Sequence, residues 1–396
     1  MDDFIGRIQQ ALRDFDLPAW LLYGFQNLDP IATRILRFEP HLLATRRWFY
    51  LIPEEGEPSK LVHRIESSIL DHLPGNTEIY LEWEQLQKKV NRLLEGVSAV
   101  AMQYSENNSI PYISLVDGGT IDLVRGCGTQ VVSSGDLIQR FEAVWSPHQV
   151  EQHRATALAL TSIVQAAFEQ AATEISSQGE TDELSIQRFI LDRFEKEDLL
   201  TAHPPIVAVN ENSANPHYQP TEAGYSKIRS DDFLLIDLWA KSKKENSVYA
   251  DITWTGFMSE QVPERHSEVF QVVRQARDQG VDFLRERFEG NNLPQGWEVD
   301  DVVRDSIRQA GYEEFFVHRT GHNLGQEVHG NGVHFDNLET HDTRLVIPGI
   351  ACTLEPGIYL EGEFGVRSEI NVFFSQDGPE VTTPPQEKMW ELTTDN

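Results

Sequence analysis

The chain has 396 residues, beyond the ~250–300 at which one hydrophobic core stops growing, so two domains are expected. Its 63 Asp plus Glu against 33 Lys plus Arg leave a formal charge of −30, which argues against a nucleic-acid or anionic-membrane partner, since either requires a basic face. The two cysteines, Cys127 and Cys352, stand far apart and outside any Cys/His zinc spacing, so neither a disulfide framework nor a structural zinc site is expected.

From the N-terminus, Met1-Asp2-Asp3-Phe4 shows no signal-peptide pattern, and no apolar run approaches the ~18 residues of a membrane span, so a cytoplasmic protein is expected. Phe4, Ile5, Ile8 and Leu12 recur at helical spacing between Asp3 and Phe15, and Trp20-Leu21-Leu22-Tyr23 reads as a buried strand. Strand-like runs at 47–52 and 97–101 alternate with helical segments such as 82–94, which predicts an α/β N-terminal domain. Trp145-Ser146-Pro147 interrupts the pattern, because proline restricts the residue before it, and a long amphipathic helix starts near His148. The boundary is therefore drawn between residues 1–146 and 147–396.

The second half predicts helices at 149–175 and 182–199, which lead into the apolar run 205–209 and a Gly/Asn/Pro-containing loop, and then two strands, 233–239 and 248–253, joined by a polar turn as an antiparallel hairpin. Helices at 264–288 and 299–310 precede a His/Gly-rich segment, and strands at 349–360 and 364–374 close the domain. The chain reads as α/β (α+β), without internal repeats or low-complexity tracts.

Chemistry enters with the carboxylates inside apolar strands. Asp237 and Asp251 sit in the hairpin, and Glu355 and Glu369 in the last two strands, where a carboxylate is costly unless it is paired or bound to a metal. Taken singly, each more often faces solvent or caps a turn. His318, His322 and His329 lie among glycines that allow close approach of backbone and ligand, with His322 the most constrained. One nitrogen and many oxygen donors suit hard or borderline divalent ions, and four converging carboxylates need about two cations.

The order Asp237, Asp251, His322, Glu355, Glu369, within Ile236-Asp237-Leu238, Ala250-Asp251-Ile252-Thr253, Gly321-His322, Glu355-Pro356-Gly357 and Arg367-Ser368-Glu369, resembles the pita-bread metallopeptidases of the prolidase and aminopeptidase P group. The resemblance spans about residues 150–385; the N-terminal half resembles the creatinase-type domain in size and position only. It implies a pita-bread catalytic domain and two divalent ions per chain, manganese first, with cobalt, zinc or iron as alternatives. Asp237 would bind one ion, Asp251 and Glu369 would bridge both, and His322 with Glu355 would complete the second. Arg367 would buttress the carboxylates, and Glu355 would also shuttle the proton. His329 would stabilise the oxyanion, His217 of Asn215-Pro216-His217-Tyr218 would hold the substrate, and His318 would shape the pocket. The implied activity is hydrolysis of small Xaa-Pro peptides by a homodimer.

A dipeptidase also needs a cationic clamp for the substrate's C-terminal carboxylate, for which Arg344 and His341 are candidates. Three features depart from the family pattern: the excursion of 14 positions (251 − 237) between the aspartates, Trp254 in place of an arginine, and Asn323 in place of a glycine. Two other readings stay open: a non-peptidase of the same fold acting on a small amidine or sulfonium compound, and a catalytically silent interaction protein.

Overall fold

The computed structural model describes residues 3–39, 42 and 44–392; the first two residues of the expected N-terminal domain and the last four of the catalytic one lie outside that range. The chain divides into two units, Met1–Glu142 and Ala143–Asn396.

In the first unit, helix α1 (Phe4–Asp14) starts where the Asp3 carboxylate accepts the Gly6 N–H. The sheet that follows consists of β1 (Ala19–Gly24), β2 (Trp48–Pro53), β3 (Ser59–His63), β4 (Asn76–Tyr80), β5 (Ala99–Met102) and β6 (Gln130–Ser133), in the order β4-β3-β2-β1-β5-β6. Strand β1 runs antiparallel to β2 and parallel to β5, so the sheet is mixed. Every residue of β1 is buried because both faces are covered. Trp20 and Leu22 pack with Ile8 and Leu12 of α1, whereas Leu21 and Tyr23 face Leu86 and Val90 of α3 (Trp83–Leu93). The period of two along the strand thus sorts its side chains between two helical layers, α2 (Pro30–Ile35) and α5 (Gly135–Glu142) joining α1 and α4 (Gly118–Gly126) joining α3.

The second unit opens with α6 (Pro147–Gln178), which combines a Ser146–Gln149 capping box, proline in its first turn, and Gly179 in the left-handed region at its end. Helix α7 (Glu183–Lys196) follows. Strands β7 (Ile206–Val209), β8 (Phe233–Ser242) and β9 (Ala250–Phe257) form an antiparallel sheet centred on β8. Leu234, Ile236, Leu238, Ala250, Ile252 and Trp254 turn to the core shared with α6 and α7. Phe233, Leu235 and Phe257 turn to the other core, built with α8 (Glu264–Glu289), α9 (Gly296–Gln309) and the C-terminal strands. Asp237 and Asp251 belong to this second face by alternation. Trp254 belongs to the first, so the tryptophan that departs from the family pattern packs behind the hairpin and not beside the aspartates.

The two C-terminal strands read from sequence are each broken in the structure. The run 349–360 is divided into β10 (Ala351–Leu354) and β11 (Gly357–Leu360), and 364–374 into β12 (Phe364–Arg367) and β13 (Ile370–Ser375). The breaks fall at Glu355-Pro356 and Ser368-Glu369. Proline brings no N–H to a ladder, and the chain changes sheet partners there: β10 pairs with β13, and β11 with β12. The freed backbone is satisfied across the domain, Glu355 N–H by the Thr320 carbonyl at 2.8 Å and Glu369 N–H by the Thr253 carbonyl at 3.3 Å. Among the described residues no helix is long and apolar enough to cross a membrane.

Candidate metal centre

Pairing in the hairpin sets Asp237 opposite Thr253 and Trp239 opposite Asp251. Opposed residues share a face, and so do residues two apart, so both aspartates and Thr253 project to one side despite the 14-residue excursion between them. The two C-terminal breaks deliver Glu355 and Glu369 to the same place. His322 arrives from the loop that begins at Gly321, whose Cα lies against the Thr353 carbonyl where a Cβ would collide with backbone.

The five residues are brought together. Ligand atoms of Asp251, His322 and Glu369 lie within 4.8 Å of one another. Nε2 of His322 is 3.7 Å from an Asp251 oxygen and 3.4 Å from a Glu355 oxygen. Asp237 joins through Arg367, whose Nη2 pairs with its Oδ2. Burial exceeds nine-tenths for Asp237, Asp251, His322 and Glu369. Three of the carboxylate oxygens, Asp237 Oδ1, Asp251 Oδ1 and Glu369 Oε1, are shielded from solvent and accept no hydrogen bond.

Around the cluster, donors fix the Glu369 and Glu355 carboxylates and the backbone of Asp251. Thr253 Oγ1 donates to Glu369 Oε2 at 2.7 Å and accepts from Arg367 Nε at 3.0 Å. Thr353 Oγ1 donates to Glu355 at 3.0 Å and accepts the His322 N–H at 2.9 Å. Asn371 brackets the Asp251 backbone, accepting its N–H at 3.0 Å and donating to its carbonyl at 2.6 Å. Arg367 Nη1 donates to the Tyr359 hydroxyl at 2.9 Å, which lies 2.7 Å from His318 Nε2. His318 Nδ1 lies 2.7 Å from the Arg319 carbonyl, an acceptor only, so Nδ1 carries the proton and Nε2 accepts from Tyr359.

Burial dominates the electrostatics. It pushes Asp251 well above the usual carboxylate range, aided by the Asp237 and Glu355 charges, and does the same to Glu369, aided by Asp251 and Glu355. Asp237 is raised by burial against the opposing pull of Arg367. Burial also raises Glu355, to about 7, with Arg367 opposing and Asp237 reinforcing. His322 is held well below its ordinary value by burial, and His318 falls to about 3 for the same reason, helped by Arg367. Without cations the cluster therefore favours protonated carboxylates beside a neutral imidazole. Orphaned carboxylate oxygens around one imidazole fit bound divalent cations, the one partner that satisfies them all in their ionised form.

The remaining predicted residues fall into two groups. His329 is exposed at the rim and packs edge-on against His322, ring centroids 4.3 Å apart, and the exposed His217 lies within electrostatic reach of it. Arg344 and His341 are placed otherwise than a carboxylate clamp requires. Arg344 is buried, and its guanidinium is committed to Asp342, at 2.9 and 2.5 Å, and to the Asn331 carbonyl at 2.9 Å. His341 is exposed, bonds Asn337 at 2.8 Å and packs on Trp297. Both hold a surface segment in shape. Asn323, the other departure from the family pattern, is fully buried and donates to the Ala351 carbonyl at 2.9 Å while accepting the Gly332 N–H at 2.9 Å.

Sequence reading missed Thr253, Thr353, Tyr359 and Asn371. Thr253 was legible from its distance of two positions from Asp251 in a strand; Tyr359, which acts through Arg367 and His318, carried no such signal.

A largely buried cluster of four carboxylates and one histidine beside an arginine has the donor set of a metallohydrolase type of centre. Residues 155–375, more than half of the chain, match the model of metallopeptidase family M24, and the chain belongs to that family. Among curated relatives, a putative Xaa-Pro aminopeptidase of Mycoplasma pneumoniae is 32% identical over 190 residues, 47% of this chain and 49% of that protein. An Xaa-Pro dipeptidase of Lactobacillus helveticus is 26% identical over 301 residues, 75% of this chain and 73% of that one. The first of these matches thus spans about half of the relative's length. Dipeptidase PepE from Mycobacterium ulcerans superposes with a TM-score of 0.65 over 98% of this chain and 97% of its own, at 19% identity, which shows a shared two-unit fold.

Proposed function

We propose that this protein is a dinuclear-metal peptidase acting on Xaa-Pro peptides, with two Mn²⁺ ions held by Asp237, Asp251, His322, Glu355 and Glu369. The observation that carries the reading is the set of three shielded carboxylate oxygens without hydrogen-bond partners in one cluster with an imidazole. When bound, the ions would polarise the scissile carbonyl and lower the pKa of water from 15.7 toward about 7.

This chain's own residues do the rest. Arg367 offsets part of the cluster's negative charge and orients Asp237, while Thr253 and Thr353 aim Glu369 and Glu355. Glu355, with a carboxyl near neutrality before metal binds, passes the proton from the attacking water toward the leaving amine. At the rim, His217 holds the substrate and His329 stabilises the developing oxyanion. His318 works through Tyr359, keeping Arg367 in register. The names of the relatives support proline next to the cleaved bond; a homodimer in the cytoplasm is part of the same proposal.

The test is a screen of Xaa-Pro dipeptides, longer Xaa-Pro peptides and proline-free controls with Mn²⁺-loaded protein. Turnover confined to Xaa-Pro substrates is expected. Glu355→Gln should lower kcat by about 10²-fold or more with a small change in KM. Absence of turnover on every Xaa-Pro peptide at full metal loading sinks the reading.

A further inference from the structure

Among the fully buried carboxylates outside the metal cluster, Glu183 has no part in the chemistry described so far. Glu183 opens α7, directly after Asp182, whose side chain caps the helix by accepting the Ser185 N–H at 2.8 Å. A negative side chain in a helix's first turn is favoured by the helix dipole, but exposure serves that purpose as well as burial does. Burial of Glu183 needs another reason.

Its four hydrogen bonds supply one. Oε1 accepts the Val209 N–H at 2.8 Å and Asn212 Nδ2 at 2.8 Å. Oε2 accepts the Tyr218 hydroxyl at 2.6 Å and the Ser226 N–H at 2.7 Å. All four partners lie on the single connection that leaves β7 at Val209 and reaches Lys227, the segment that carries His217. One oxygen holds the outgoing limb and the other the returning limb, with Tyr218 next in sequence to His217. Asn212 Nδ2 also reaches Ser226 Oγ at 3.0 Å, closing the loop on itself above the carboxylate. Four donors converging on two oxygens match an ionised carboxylate and no neutral side chain, since an amide brings donors of its own. The loop has a second tie: Ser213 Oγ accepts the Gly365 N–H at 2.8 Å, from β12, which ends at Arg367.

We infer that Glu183 is a positioning residue for substrate binding: its carboxylate clamps both limbs of the 209–226 loop and so sets the location of His217 at the rim of the metal centre. This rests on the role proposed for His217, and the test separates the two. Glu183→Gln keeps size and shape but turns one acceptor into a donor facing two donors. Tyr218→Phe removes one of the four bonds from the loop side with little risk to folding.

Two measurements are made on Glu183→Gln, Tyr218→Phe and wild type. The first is amide hydrogen exchange in the metal-free full chain. Exchange at Val209 and Ser226 should rise by about tenfold or more in Glu183→Gln, and less in Tyr218→Phe, with the β8–β9 hairpin unchanged. The second is kinetics on an Xaa-Pro substrate with Mn²⁺. KM should rise about tenfold in Glu183→Gln and several-fold in Tyr218→Phe, with kcat within about threefold. Adding Glu183→Gln to His217→Ala should change KM by less than about twofold, because the carboxylate acts through that histidine. Unchanged exchange at Val209 and Ser226 in both variants overturns the clamp. So does raised exchange with unchanged KM, or a KM effect that multiplies with that of His217→Ala. Loss of turnover in wild type would instead strike the proposed function, while the exchange experiment would still report on the clamp.

Discussion

Thr253 shows how much one hydroxyl can organise. It gives its proton to Glu369 and its lone pair to Arg367, while Arg367 pairs with Asp237, so two candidate ligands are linked through one side chain. Replacing it by valine preserves shape but leaves Arg367 Nε and Glu369 Oε2 each short of a buried partner, which costs about 1–3 kcal/mol. Removing such an orienting group typically lowers metal affinity 10–100-fold. Thr253→Val should therefore bind Mn²⁺ at least about tenfold more weakly in a chelator competition, and an affinity equal to wild type would show that Glu369 needs no orienting hydroxyl. The candidate ligands stood out in the sequence because a carboxylate in an apolar strand is conspicuous. Their supports did not, since a threonine or tyrosine in a strand is ordinary until its partners are known.

The elements add constraints that no single residue carries. Hairpin register is fixed by alternation between two cores, and the turn length between the strands is immaterial to it; both aspartates could be read as one pair for that reason. The expected continuous strands at 349–360 and 364–374 failed at the ligand positions, because a strand that must hand a carboxylate to another sheet has to leave its own ladder. Gly321 sets the approach of the His322 loop to β10. An added methyl would press on the Thr353 carbonyl, whose N–H is itself bonded to the His322 carbonyl at 2.8 Å. Gly321→Ala should cost about 1–3 kcal/mol in urea denaturation and weaken metal binding with it; a variant as stable as wild type would mean that the loop has room to move.

Helix α6 is tied to the same region by His153, fully buried, with Nδ1 donating to the Tyr249 carbonyl at 2.9 Å and Nε2 2.7 Å from Thr382 Oγ1. Burial lowers this imidazole to about 4 from 6.5. The fold accepts the neutral form, so the contribution is complete above 6.5 and declines as pH falls toward 4, by about 2 kcal/mol between pH 7 and 5. Urea midpoints at those two pH values should converge more for His153→Gln than for wild type, and an equal acid loss in both would place the sensitivity elsewhere.

Across the whole molecule the division of labour is plain in where the candidate residues lie. All five candidate ligands, Arg367 and the histidines His217, His318 and His329 belong to the unit Ala143–Asn396, and none to Met1–Glu142. The net charge of −30 is in keeping with a site that gathers cations, although most of those carboxylates lie outside it. Burial and the neighbouring carboxylates push Asp251 and Glu369 well above the usual carboxylate range when metal is absent. Metal binds the ionised carboxylates and so competes with protons for them, and affinity should strengthen as pH rises. The measurement that bears most directly on the central claim is the number of Mn²⁺ ions bound per chain at saturation, read together with activity along the same titration. Two ions per chain are predicted, with turnover of an Xaa-Pro peptide levelling off only as the second binds; one ion or fewer, with activity already maximal, would contradict a dinuclear centre.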